Sequence, residues 1–209
     1  MQRASGSLFG LAFGDALGKP TEFQEYDSIV AEYGAAGPRE LVGDPALVTD
    51  DTQMMLAVGE AILSAGPLTP SSFEPPLRAG FLAWAVSPDN NRAPGMTCLR
   101  ACADLHDGRP WQAASQIRSK GCGANMRVTP IGLAPGLADE VRAGAAQLQA
   151  GLTHGHPTAL VASELTAYAV TWLSAGLRPA DLPAALRQHC AEMRRTYHER
   201  WLGEMRKPR

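Results

Sequence analysis

Aromatic residues are scarce, at 6% of 209 residues, which weakens any reading that needs nucleobases stacked on rings. Charge of either sign is not in excess. The formal net charge is −2, so no broad field draws the chain to nucleic acid or to an anionic membrane. No apolar run reaches the ~20 residues of a spanning helix, and no membrane association is expected. Residues Met1–Gly18 have too short an apolar run for a secretory signal and carry Asp15, so a cytoplasmic setting is expected. The cysteines are few: Cys98, Cys102, Cys122 and Cys190. No second Cys or His pair stands at zinc-finger spacing, so they are expected to be reduced thiols. Strand-like alternation, internal repeats and low-complexity linkers are all lacking. The 45% hydrophobic content is ordinary for a folded core, and one all-α domain over residues 1–209 is expected.

What is present centres on Val48-Thr49-Asp50-Asp51-Thr52-Gln53-Met54. Met54, Met55, Val58 and Ile62 follow at helical spacing, which predicts a helix from about Asp51 to Ser64. Asp50 then reads as its N-cap, with Gln53 completing a capping box. A second reading stands beside the cap. Adjacent carboxylates repel, and a compensating cation would relieve them. The donors Thr49, Asp50 and Asp51 are all oxygen, which points to Mg²⁺, Mn²⁺ or Ca²⁺ rather than zinc.

Upstream, Gly6, Gly10, Gly14 and Gly18 fall every fourth residue, on one face of a helix. Close packing against another backbone is expected there. Pro20 ends that helix, leaving Glu22 in a loop, either simply solvated or part of a site. A short helix is predicted near Ser28–Tyr33. Phe73, Leu77, Phe81 and Trp84 form a core stripe on a further helix, and Gly95–His106 and Trp111–Lys120 are predicted helical.

The stretch Gly121-Cys122-Gly123-Ala124-Asn125-Met126-Arg127 places small residues before a helix holding Val128, Ile131 and Leu133. It reads as a plain turn, or as amides able to hold a phosphate with Arg127 adding charge. It is not a Walker loop, because the Gly-Lys-Ser/Thr ending is absent. Helices are also predicted over Leu137–Leu152, Pro157–Ser174 and Pro179–Gly203, with a basic close from Arg194-Arg195 to Arg209. His154 and His156 lie between the first two, as cap or surface groups or as a weak chelating pair.

Taken in order, these stretches resemble the ADP-ribosylglycohydrolase family, the relatives of dinitrogenase reductase-activating glycohydrolase. The resemblance rests on Gly6–Gly18, Glu22-Phe23, Thr49–Met54, Gly121–Arg127 and Leu152-Thr153-His154. It implies an orthogonal multi-helix bundle with a site for two Mg²⁺ (or Mn²⁺) ions, with Thr49, Asp50 and Asp51 as ligands. Glu22, Asp50 and Asp51 would be the catalytic acids. Gly121, Gly123, Ala124, Asn125, Met126, Arg127 and His154 would line the ADP-ribose pocket. The implied reaction cleaves the bond at C1″ of the distal ribose in an ADP-ribosylated protein or a small ADP-ribose conjugate.

Two departures qualify what is implied. The family's late Asp-x-Asp-Thr motif has no counterpart, since the only Asp residues after Gly136 are Asp139 and Asp181. The expectation is a bundle incomplete at the C-terminus, poor in turnover alone, with a second polypeptide carrying the absent ligands. The segment Arg92–Cys98 also lacks the acid that relatives carry there, with Asp89 the nearest, so no general base is assigned. The alternative is a non-catalytic ADP-ribose-binding or crystallin-like structural relative, or an inactive fragment.

Overall fold

Eleven α-helices and three single 3-10 turns account for the regular structure among the described residues. The computed structural model describes residues 2–192 and 197–203. The helices are α1 (Gln2–Gly18), α2 (Tyr26–Tyr33), α3 (Asp50–Ala65), α4 (Pro70–Ala85), α5 (Met96–His106), α6 (Trp111–Ala114), α7 (Thr129–Leu133), α8 (Asp139–Gly151), α9 (Pro157–Ala175), α10 (Leu182–Glu192) and α11 (Tyr197–Leu202). No strand occurs among these residues, only an isolated bridge between Gly43 and Ala46. The fold is all-α, as the periodicity predicts.

The central layer is α3 packed on α4. Met54 and Val58 of α3 face Phe73, Leu77 and Phe81 of α4, all fully buried. The start of α4 is secured by a capping box in which Thr69 accepts from Ser72 N while Ser72 Oγ accepts from Thr69 N. A second layer forms from α8 and α9, with α7 and α11 packed on them. Residues Ala143–Leu152 of α8 and its end are buried all round, the mark of a helix enclosed on every side. The buried His189 of α10 sits 2.7 Å from Glu164 of α9 and stacks on Tyr168, which anchors α10 to that layer.

Three expectations are corrected here. The glycine row of α1 is not closely packed. Gly6, Gly10, Gly14 and Gly18 are exposed, and a Cβ at any of them would meet nothing within 4 Å. Spacing shows that residues share a face, not that the face is covered. Phe9 and Phe13 of the same helix are also exposed, while α3, α7 and α9 pack against its other side.

The predicted helix over Trp111–Lys120 stops at Ala114. Ser115 turns extended, and Gln116 then pairs its main chain with the end of α8: its N–H donates to Thr153 O at 2.9 Å, and its carbonyl accepts from Gly155 N at 3.2 Å. Tertiary backbone pairing wins over local helix propensity. The Pro179–Gly203 prediction opens as a 3-10 turn at Pro179–Asp181 before α10, and α11 falls within its far end, with residues 193–196 outside the described residues. The basic close at Arg194-Arg195 and Met205–Arg209 lies outside the described residues.

Candidate active site

The start of α3 is built by its neighbours. Thr49 is extended, with φ −103° and ψ −163°, and its hydroxyl accepts from Asp51 N at 3.4 Å. Thr49 is therefore the N-cap, and Asp50 is the first helical residue rather than the cap. Gln53 does not close a capping box. It accepts from Trp84 Nε1 at 3.2 Å and donates to Asp89 O at 3.1 Å, joining α3 to the end of α4 and the loop beyond it.

A carboxylate from α1 takes up the helix-start donors. Asp15 Oδ1 accepts the Thr49 hydroxyl and Oδ2 the Thr52 hydroxyl, each at 2.6 Å. The amides of Thr49 and Thr52 donate to Oδ2 at 2.9 and 3.1 Å. Negative charge at the positive end of a helix is favourable, and bonds to an ionised acceptor are the stronger kind. In the sequence, Asp15 counts only as a charge against a signal peptide. The signal that could have found it is that it is the sole acid in Gln2–Gly18, on a helix otherwise rich in small and apolar residues.

The other acids gather around this point. Asp50 is buried, and its Oδ2 accepts from Gly95 N at 3.1 Å, while its own N–H donates to Arg92 O at 3.1 Å. Burial pushes the Asp50 carboxyl up to about 6, with Glu22 and Asp15 adding repulsion and the Gly95 bond opposing. Asp51 is also pushed up to about 6, by burial first and then by Asp15 and Asp50. Glu22, just after the 3-10 turn Lys19–Thr21, is raised by burial and by the charges of Asp51 and Asp15. Four acids thus feel one another at one point, which needs a cation or protons to be stable.

The Gly121–Arg127 loop lies on the other side of the first turn of α5. Its 3-10 turn, Cys122–Ala124, sits directly on His154. A Cβ at Gly123 would fall 3.0 Å from His154 Cε1 and 3.3 Å from Cys98 Sγ, and one at Gly121 would fall 3.4 Å from His154 Nε2. Glycine is what lets the loop backbone approach the ring so closely. His154 is buried, and burial together with the Arg127 charge holds its pKa down to about 3, so the ring is neutral at ordinary pH. Its Nδ1 is 2.8 Å from Thr153 Oγ1. His156 does not join it as a chelating pair. It caps α9, with Nδ1 accepting from Thr158 N at 3.1 Å.

The sequence profile of the ADP-ribosylglycohydrolase family matches residues 1–208. The chain belongs to the ADP-ribosylglycohydrolase family. It is 34% identical over 167 residues to an ADP-ribosyl-[dinitrogen reductase] glycohydrolase of Rhodospirillum rubrum, a match covering 74% of this chain and 52% of the relative. An uncharacterised protein of Archaeoglobus fulgidus is 32% identical over 169 residues, 78% of this chain and 53% of the relative. An ADP-ribosylarginine hydrolase of Serratia proteamaculans is 31% identical over 140 residues, 64% of this chain and 37% of the relative. The chain spans about half the length, or less, of these relatives.

ADP-ribosylglycohydrolases are typically metal-dependent, and the acids here fit a hard cation in kind: Thr49, Asp50, Asp51 and Glu22 offer only oxygen. They do not fit in number. Among the described residues no group of three or more His, Cys, Asp or Glu side chains could hold an ion. The Thr49 hydroxyl is already engaged twice, donating to Asp15 and accepting from Asp51 N.

The loop residues divide. Gly121 is exposed, and Gly123, Asn125 and Met126 are half-buried. Ala124 is buried, its carbonyl accepting from Gln149 Nε2 at 2.9 Å, and Met126 packs on the core. Arg127 departs from expectation. It is fully buried, with its guanidinium 4.2 Å from the Phe81 ring centroid. Nε donates to Gln149 Oε1, Nη2 to Gln149 O and Thr153 Oγ1, all at 2.7 Å, and Nη1 to Met54 and Cys98 sulfurs. A guanidinium has five N–H donors, and all are spent inward. Arg127 therefore brings no charge to the loop surface.

Proposed function

We propose that this chain contributes to the hydrolysis of ADP-ribosyl bonds, breaking the bond at C1″ of the distal ribose. One observation carries the reading: the acids and the small-residue loop share the first turn of α5. Asp50 grips Gly95 at its N-cap, and Gly123 rests against Cys98 one turn on. A ribose beside Asp50 and Asp51 would have its diphosphate within reach of the loop amides.

In the reaction, the C1″ bond to the acceptor breaks with its electron pair leaving on the acceptor atom. A water oxygen bonds to C1″ in its place, and one water proton is removed while the acceptor gains one. Positive charge builds at C1″ as the bond opens, and nearby carboxylates lower its energy. Asp50 and Asp51, with pKa values near 6, are mainly ionised above that pH and supply that charge. Glu22, raised in pKa at the rim of the cluster, would hold and return the proton. Thr49, Asp50 and Asp51 would be donors to a divalent cation whose further ligands come from elsewhere, and its chemistry there would be to polarise the water.

The substrate class is an ADP-ribosylated protein or a small ADP-ribose conjugate. The Serratia relative's name makes ADP-ribosylarginine the first to try. A second reading, ADP-ribose binding without turnover, is favoured by the lack of a closed ion-binding set among the described residues. Turnover of ADP-ribosylarginine protein by residues 1–209, with Mg²⁺ present and mass verified, decides between them. Turnover lost in Asp50→Ala and Asp51→Ala supports the first. No turnover, with ADP-ribose binding that Gly123→Val removes, supports the second. Neither turnover nor binding overturns both.

A further inference from the structure

Beside the acid cluster lies a surface that the hydrolytic reading leaves without a role. It comprises α2 and the loop from Gly34 to Val48. α2 buries none of its residues. Phe23 is 82% exposed and Tyr26 71%, and Leu41, Val42 and Leu47 of the loop are exposed as well. The bridge between Gly43 and Ala46 sets Val42 and Leu47 on its two flanks. Chain connectivity ties both groups to the cluster. Phe23 follows Glu22 directly, and Leu47 stands two residues before Thr49, within about 7 Å of backbone. Apolar residues scattered singly over a surface need no explanation, but several around one site mark a place of contact. The charged residues among them are mostly of one sign. Glu22, Glu25, Asp27, Glu32, Glu40 and Asp44 are all exposed, and only Lys19 and Arg39 stand against them. That acidic excess is larger than the net charge of −2 of the whole chain. None of these acids is in an ion pair among the described residues.

We propose that this surface holds the acceptor polypeptide of an ADP-ribosylated protein, through basic residues and an apolar side chain that flank the modified one. The proposal rests on the hydrolytic reading of the acid cluster. Charge decides which part of the substrate lies here. An ADP-ribosyl group carries its negative charge on the diphosphate, and an acidic surface repels it. The acceptor lies across C1″ from the diphosphate, and it is the part left to face α2 and the loop. Lysine or arginine side chains near the modified residue meet the exposed carboxylates, which steers the encounter and rejects acidic acceptors. Exposed ion pairs contribute little each, so the hold comes from the apolar residues, with Phe23 beside Glu22 and the Val42–Leu47 pair as anchors. A free ADP-ribosylarginine is too small to use both. The surface therefore favours protein substrates over small conjugates.

The test measures binding, so it does not depend on turnover. Calorimetry on residues 1–209 compares three probes: free ADP-ribosylarginine, a peptide carrying ADP-ribosylarginine flanked by lysines and one leucine, and the same peptide with glutamates for the lysines. The lysine peptide should bind about tenfold or more tighter than free ADP-ribosylarginine, and the glutamate peptide more weakly than the lysine peptide. Added salt should narrow the gap between the two peptides. Phe23→Ala/Leu47→Ala should cost the lysine peptide about tenfold and leave free ADP-ribosylarginine unchanged. Glu40→Lys/Asp44→Lys should abolish or reverse the preference between the peptides. Melting temperatures should stay at the wild-type value, because all four side chains are exposed. Equal binding of all three probes, or a lysine-peptide advantage that both variants keep, overturns this proposal and leaves the hydrolase reading standing. No binding of any probe overturns it together with that reading.

Discussion

Thr49 gives its hydroxyl proton to Asp15 at 2.6 Å, across a gap of 34 residues in the chain. The bond makes the acid cluster a tertiary object, shared between α1 and α3, rather than a property of one helix start. It also explains why Asp50, Asp51 and Glu22 feel a fourth negative charge.

Asp15→Ala should therefore be costly. Four donors, the amides and hydroxyls of Thr49 and Thr52, would lose their acceptor. Bonds to charged groups contribute about 1.5–3 kcal/mol each, but water replaces part of this at a half-buried site. Removing Asp15 also relieves repulsion on Asp51. The lost acceptor is the larger effect, and a net destabilisation of about 2–3 kcal/mol in urea unfolding is expected. A loss under about 0.5 kcal/mol would mean that the α1–α3 junction is held by packing instead.

The buried acids set a pH dependence with a definite sign. Asp50 has a pKa of about 6 when folded, against 3.8 for the free group, so the folded state binds its proton more tightly. Stability from this group is full below about 4 and is lost as pH rises through about 6. Asp50→Asn removes that loss while keeping an oxygen for Gly95 N–H. A rise of that size corresponds to about 3 kcal/mol at full strength, and solvent reaching the cluster reduces this to about 1–2 kcal/mol. Melting curves from pH 4 to 8 should show the variant equal to wild type near pH 4 and more stable at pH 7.5. A variant less stable at both ends would show that the charge is already compensated.

Arg127 shows where sequence reading stops. Its loop, its place before α7 and its proximity to His154 are all legible as pattern. The direction of its side chain is not, because it depends on Gln149 and Thr153, more than 20 residues away, and on the Phe81 ring. The same limit hid Asp15, whose partners lie on α3, and let the glycine face of α1 be read as closely packed when it faces solvent. Periodicity located most helices within one or two residues, because period 3.6 is a local signal. The Trp111–Lys120 helix failed because a non-local backbone pairing ended it.

A variant separates the two roles that Arg127 could hold. Lysine keeps the charge but lacks the planar fork, and it has three donors for five places. Arg127→Lys should cost about 3 kcal/mol in chemical unfolding, since it leaves buried acceptors and a buried charge poorly matched. ADP-ribose affinity, measured on the folded fraction, should change by no more than about twofold. Wild-type stability with a large loss of affinity would return Arg127 to the phosphate loop.

Metal response is the sharpest check on the acid cluster itself. Thr49, Asp50 and Asp51 present one wall of oxygen donors, and Mg²⁺ requires near-octahedral coordination that one wall does not complete. Residues 1–209 should therefore bind Mg²⁺ or Mn²⁺ weakly, with a dissociation constant on the order of millimolar. A ligand that binds only the native state stabilises it by RT ln(1 + [L]/Kd), about 1.4 kcal/mol at tenfold excess over Kd. The ligands must be ionised, and protons compete for Asp50 and Asp51 below their pKa values of about 6. The rise in melting temperature should thus be present at pH 7.5 and largely gone at pH 5. Asp50→Asn should remove it, and hydrolysis by residues 1–209 should be slow in proportion to the weak occupancy. An equal shift in wild type and Asp50→Asn would place the ion elsewhere. A micromolar dissociation constant with brisk turnover would mean that the chain completes its own ion site, against the geometry described for it.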